Sequence, residues 1–201
     1  MSALVTLKAE DLGNQIVREA GRFVGLREVK PNAVWDNPKT PGPDAALVLE
    51  VKTLMRPSPW EEGWSYCAAF AEGMVRCALI RLAIQPTEAA KFLDVMSPGV
   101  LLSFNRFKER ELISPNPCVG AIWLARHGST EQGHAGIVTS KSLAGVNMST
   151  IEGNTSLDSK DPAKDREGDW ITTRTFPATG RGDLRTLGFV QPEAVLKLIF
   201  G

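Results

Sequence analysis

Cysteine and histidine are the side chains in this sequence best suited to nucleophilic chemistry, and both are scarce: three cysteines (Cys67, Cys77, Cys118) and two histidines (His127, His134). Cys67 opens a helical pattern whose apolar stripe runs through Phe70, Met74, Cys77/Ala78 and Leu82. At the mouth of a helix, unpaired backbone N–H groups and the dipole favour an anion, so a thiol there ionises easily, and the thiolate is the attacking species. The alternative is a buried structural thiol. Cys77, inside the same stripe, and Cys118, at the start of a β-rich segment, take that structural reading.

His134 sits among small neighbours in Gly133-His134-Ala135-Gly136-Ile137-Val138. Glycines beside a strand histidine let another backbone or a substrate approach closely; the alternative is a hydrogen-bonded structural histidine. His127 precedes Gly128-Ser129-Thr130 and is expected in a turn, exposed and inert. Glu152 and Asn154, in Thr150-Ile151-Glu152-Gly153-Asn154-Thr155, project from one face of an extended chain, with Ile151 turned oppositely into the core. A carboxylate and an amide so placed can orient an imidazole and stabilise its charged form; the alternative is a polar turn. A hairpin from 134 to 154 would lay His134 beside Glu152 and Asn154, leaving the Cys67 helix to pack against that face.

The elements that must do this positioning are readable from periodicity. Helices are expected over 9–24 with Gly25 as the stop, from Asp44 to about Leu54, from Cys67 onward, from an N-cap at Thr87 to Met96, and from the Ser97-Pro98 pair through Phe107. Residues 31–43, with four prolines, read as a loop. After Pro115 the character changes to short β-rich segments at 118–126, 134–140 and 146–152, with further strands at 169–176 and 184–190. Residues 158–169 read as a charged loop, and 191–200 as a closing helix with Pro192 in its first turn. Helices followed by an antiparallel sheet indicate α+β.

Composition narrows the function classes. The 201 residues, 43% hydrophobic, suit a single domain over 1–201, with a core at about 9–156 and the remainder completing the sheet, a loop and a helix. Twenty-three basic residues balance 23 acidic ones without long runs, so no nucleic acid partner is expected. The first twelve residues lack a basic leader and a cleavage site, and no apolar run reaches the length of a membrane helix, so synthesis in the cytoplasm without signal peptide or membrane anchor is expected. The cysteine spacings fit neither a disulfide framework nor a zinc site, and no metal or cofactor is expected.

Three segments carry a resemblance: Tyr66-Cys67-Ala68-Ala69-Phe70, Gly133 to Val138, and Thr150 to Thr155, in that order. The chain resembles the CHAP cysteine amidohydrolases/peptidases, relatives of the NlpC/P60 enzymes with a papain-like fold, over roughly residues 16–156. The resemblance implies a nucleophile helix packed on an antiparallel sheet and hydrolysis of an amide bond in the stem peptide or cross-bridge of peptidoglycan. It implies Cys67 as nucleophile, His134 as general base and then acid, Glu152 as its orienter and Asn154 as an auxiliary polar group. It also implies action on the cell wall after lysis or specialised export, with delivery machinery or an immunity protein as partners. The chain departs from the pattern in having no glutamine before the cysteine: Pro59 to Tyr66 (PWEEGWSY) leaves the second oxyanion donor to Ser65 or the indoles of Trp60 or Trp64. The acidic residues Asp36, Asp44, Glu61 and Glu62 are too scattered for the calcium loop of some members. Trp60, Trp64 and Tyr66 are candidate walls for substrate, or else core. The competing functions are a papain-like thiol hydrolase acting on a protein or small amide, and a binding domain that keeps the fold without turnover.

Overall fold

The computed structural model describes residues 7–27, 45–56, 64–155 and 170–201. The 31–43 loop, Asp44, Trp60, Glu61, Glu62 and the 158–169 loop of the sequence reading lie outside the described residues. The described residues form an α+β structure. Five helices come first: α1 (Ala9–Gly21), α2 (Ala45–Leu54), α3 (Cys67–Arg81), α4 (Pro86–Val95) and α5 (Val100–Glu109). Strands β1 (Ile122–His127), β2 (Gly133–Lys141), β3 (Asn147–Thr155), β4 (Trp170–Pro177), β5 (Gly180–Arg181) and β6 (Leu184–Val190) follow, and α6 (Pro192–Phe200) closes the order.

Several boundaries differ from the periodic reading for local reasons. Helix α1 ends at Gly21, and the chain turns through Gly25 at φ +97°, whose N–H donates to Ile171 O of β4 at 2.8 Å. Helix α4 starts at Pro86 rather than after Thr87, because proline is preset for the first helical position. Helix α5 starts at Val100 with Gly99 as cap. Ser97 stays outside it in a turn, where its N–H donates to Ser103 Oγ at 2.9 Å.

All strand pairings are antiparallel, in the order β4-β3-β2-β1-β6-β5. Strands β4 and β5 therefore stand at opposite edges, yet only Ala178 and Thr179 join them. Three residue steps span at most about 11 Å, whereas six flat strands would separate the edges by about 24 Å. The sheet must curl until its edges meet. The Ala178 N–H to Val146 O (2.7 Å) and Thr186 N–H to Thr179 O (3.0 Å) bonds pin that short link.

Curling gives the sheet an outer face under the helices and an inner face folded on itself, each with a core. Leu124, Ala135, Ile137 and Ile151 pack outward with α1, α3 and α5 residues, whereas Trp123, Ala125, Val138, Met148, Phe176 and Phe189 fill the inside. Helix α3 lies on β2 and β3 and is buried on nearly every side, from Cys67 to Leu79 save Arg76. This is a wider burial than one apolar stripe, and small residues make it feasible: a Cβ on Gly73 would lie 3.0 Å from Leu54 O of α2. The one acidic group in this stretch, Glu72, is fully buried and paired through both oxygens with Arg56, which also donates to Leu93 O at 2.7 Å. Unpaired, that charge would be strongly destabilising.

Candidate active site

Helix α3 begins at Cys67, and its first turn has N–H groups without helical partners. Phe70 N–H closes the first helical bond to Tyr66 O at 2.8 Å, and the Ala68 N–H turns to the Cys67 sulfur. A second backbone N–H, from Ala135 of β2, also points at the sulfur. The β2–β3 pairing extends from Lys141–Met148 only as far as Ile137–Ile151, so the thiol stands where the ladder stops.

The strand register then explains which side chains meet. Ala125 faces His134, and Trp123 faces Gly136, across β1 and β2. Because Trp123, Ala125 and Val138 belong to the inner core, His134 and Gly136 point inward too. Trp123 meets the His134 ring edge to face, with centroids 5.9 Å apart. Glu152 reaches His134 by crossing over Gly136: a Cβ there would lie 2.6 Å from Glu152 Cγ. The space left by that missing methyl is filled by the carboxylate arm. Helix α3 packs instead on the opposite, outer face, where Tyr66 lies against Gly153, and not on the face that carries the imidazole as the hairpin reading expected. Cys67 nevertheless stands close enough to His134 for each to favour the charged form of the other, and both line one cleft.

His134 Nε2 lies 2.8 Å from Glu152 Oε2, with both residues buried. That bond leaves Nδ1 as the ring nitrogen for the sulfur. Glu152 is saturated. Its Oε1 accepts from Thr150 Oγ1 (2.5 Å) and Arg181 Nη1 (2.7 Å), and its Oε2 accepts from His134 and from Arg181 Nη2 (2.8 Å). Arg181, on β5, faces inward because it pairs with buried Leu184, and its guanidinium lies over the rings of Phe176 (4.7 Å) and Trp123 (5.6 Å).

These contacts set the protonation states. Burial pushes the Cys67 thiol up, but the His134 charge, its hydrogen bond and the Ala135 and Ala68 N–H groups outweigh burial, holding the thiol below its ordinary value. Burial works against charge on His134 as well, yet Cys67 and Glu152 together raise it to about 9. Burial also opposes the Glu152 charge, while His134 and Arg181 bring it down to about 2. All three shifts favour the charged forms: thiolate, imidazolium and carboxylate. By contrast, burial and a 3.3 Å contact with Glu19 raise Cys77 to about 11, and burial raises Cys118.

A cleft of about 210 Å³ opens beside this series, lined by Cys67, His134, Asn154, Ser65, Gln132 and Val100 among others. Asn154, 1% exposed, adopts φ +54°, a left-handed turn that asparagine tolerates better than most residues. Of the expected substrate walls, Tyr66 is fully buried against Gly153 and Phe70, and Trp64 is half-exposed outside the cleft lining. Ser65 does reach the cleft.

His127, expected to be exposed, is 4% exposed and lines the cleft, with Nδ1 3.2 Å from Asp183 Oδ1. Its inward direction follows from facing Leu184 across β1 and β6. Arg181 was missed altogether; its only local signal is an arginine between Gly180 and Gly182, the same glycine flanking that drew attention to His134. Among the described residues, no group of three or more His, Cys, Asp or Glu side chains is placed to hold a metal ion, and no helix is long and apolar enough to cross a membrane. No family model, curated protein or solved structure matches the chain.

Proposed function

We propose that this chain is a cysteine-dependent amide hydrolase, a CHAP-type enzyme of papain-like fold that cuts the stem peptide or cross-bridge of peptidoglycan. The observation that carries the chemistry is the unbroken series Cys67–His134–Glu152 beside a cleft. The choice of wall substrate rests on the resemblance of the three segments around Cys67, His134 and Glu152.

Cys67 thiolate adds to the scissile carbonyl carbon, and the carbonyl oxygen takes the negative charge at the start of α3. One backbone donor there contributes about 3 kcal/mol of stabilisation if it matches other oxyanion donors. His134, charged, gives its Nδ1 proton to the departing amine, the C–N bond breaks and a thioester remains. Neutral His134 then takes a proton from water, whose oxygen attacks the thioester; collapse releases the acid and restores thiolate and imidazolium. Glu152 keeps the proton on Nε2 throughout and stabilises the charged ring.

The test compares wild type with Cys67→Ala on purified sacculi, by loss of turbidity and by mass spectrometry of released fragments. New amino and carboxyl ends in wild-type digests alone are expected. Equal release by both proteins refutes the reading, whereas cleavage of a general peptide substrate with intact sacculi would keep the chemistry and reject the substrate.

A further inference from the structure

We propose that Arg181 is a positioning residue of the reaction: clamped on both Glu152 oxygens and seated on Trp123 and Phe176, it fixes the carboxylate that holds His134 and sets the charge felt by the Cys67–His134 pair. The inference rests on the amide-hydrolase reading of the same site.

The geometry is that of a device for one carboxylate. Both terminal guanidinium nitrogens, Nη1 and Nη2, donate to Glu152, at 2.7 and 2.8 Å, in the bidentate form that defines orientation as well as distance. Oε2 is shared by Arg181 and His134, so any rotation of the carboxylate that loosens one bond loosens the other. The Arg181 side chain is 11% exposed, and the aromatic rings of strands β1 and β4 hold it while it reaches back from β5 to β3. A guanidinium used only to close the curled sheet had no need of an acid that also serves the imidazole.

Electrostatics give this role a signature. The charged and titratable groups around the pair are Cys67 from α3, Glu152 from β3, Arg181 from β5, and Arg174 of β4 on the same inner face as Phe176. At the cleft stand His127 with Asp183, and Glu131 tied to Arg126. Arg181 is a second cation bonded to Glu152 beside the His134 imidazolium, so its loss throws the balance of the carboxylate charge onto the imidazolium. Removing a positive charge makes the thiolate harder to form and the imidazolium harder to discharge. Both limbs of the activity profile then move to higher pH.

The experiment measures the pH dependence of hydrolysis and of iodoacetamide alkylation at Cys67, read by peptide mass spectrometry, in wild type, Arg181→Met, Arg181→Gln and Arg181→Lys. The neutral variants are expected to shift the alkylation midpoint and both activity limbs upward by about one pH unit, with at least a tenfold fall in rate near neutrality. Arg181→Lys, which keeps the charge but not the fork, is expected to lose rate with its limbs in place. Unmoved limbs in a folded neutral variant overturn the inference. Failure of both neutral variants to fold overturns it too, since Arg181 would then be holding the sheet rather than the pair. If wild-type Cys67 alkylates only as an ordinary thiol, the reading of the whole site fails, and that outcome is distinct from the Arg181 result.

Discussion

Adding one methyl group at Gly136 should disable the site without replacing any residue of the Cys67–His134–Glu152 series. An alanine Cβ there would lie 2.6 Å from Glu152 Cγ, whereas carbon atoms settle at about 3.5–4.0 Å. The deficit is about 1 Å. Ile151 O lies 3.3 Å from the same Cβ and Glu152 Cδ lies 3.5 Å, so the methyl has little room to move aside. A comparable displacement of the carboxylate stretches its 2.8 Å contact with His134 past the range of a hydrogen bond. A bond to a charged group contributes about 1.5–3 kcal/mol, which corresponds to a rate loss of roughly tenfold to a hundredfold. The assay is turbidity loss of sacculi by Gly136→Ala, with circular dichroism to show that the fold persists. Gly21→Ala serves as the control, because a Cβ there has nothing within 4 Å. A folded Gly136→Ala with more than about half the wild-type rate would refute the reasoning: the carboxylate would not depend on the vacant space above residue 136.

Two further predictions concern protonation. His134 is raised from 6.5 to about 9 on folding, so its contribution to stability is complete below pH 6.5 and is lost as pH climbs through 9; Glu152, lowered from 4.5 to about 2, contributes fully above pH 4.5 and loses its share as pH falls through 2. Urea melts of wild type and His134→Ala should therefore differ most between pH 4.5 and 6.5 and converge near pH 9.5, and a constant gap from pH 6 to 9.5 would contradict the assigned charge states. Limited alkylation at pH 7 should label Cys67 at least tenfold faster than Cys77, whose thiol is raised to about 11; preferential labelling of Cys77 by mass spectrometry would reverse the assignment.

The local elements were legible because each is written in its own residues. The short apolar run from Ile122 to Ala125, and the proline at 192 before another, mark a strand and a helix without reference to anything distant. Register was legible too, since a hairpin that pairs Ile137 with Ile151 brings residues 134 and 152 close together. The choice of face was not. Both faces of this sheet are covered, so alternation shows that His134 and Val138 share a side but not which side the helix takes. Tyr66 stays between two readings for a related reason: an aromatic residue beside a reactive cysteine suits a cleft wall as well as a core, and only the bare backbone at Gly153 decides for the core. Arg181 depends on strands that meet through the curl of the whole sheet, and His127 on the pairing of β1 with the distant β6, both properties of strand order rather than of any segment.

That curl also bears on how the protein is made. A nascent chain acquires the sulfur first, then the ring and then the acid, but the guanidinium arrives on the hairpin that brings the two sheet edges together. Until the ribosome has passed that hairpin, the sheet edges stay apart and the acid lacks its guanidinium partner. On the proposed reading, the polypeptide hydrolyses slowly until that hairpin is added, and the clamp on the acid closes only after sulfur, ring and acid have all been made.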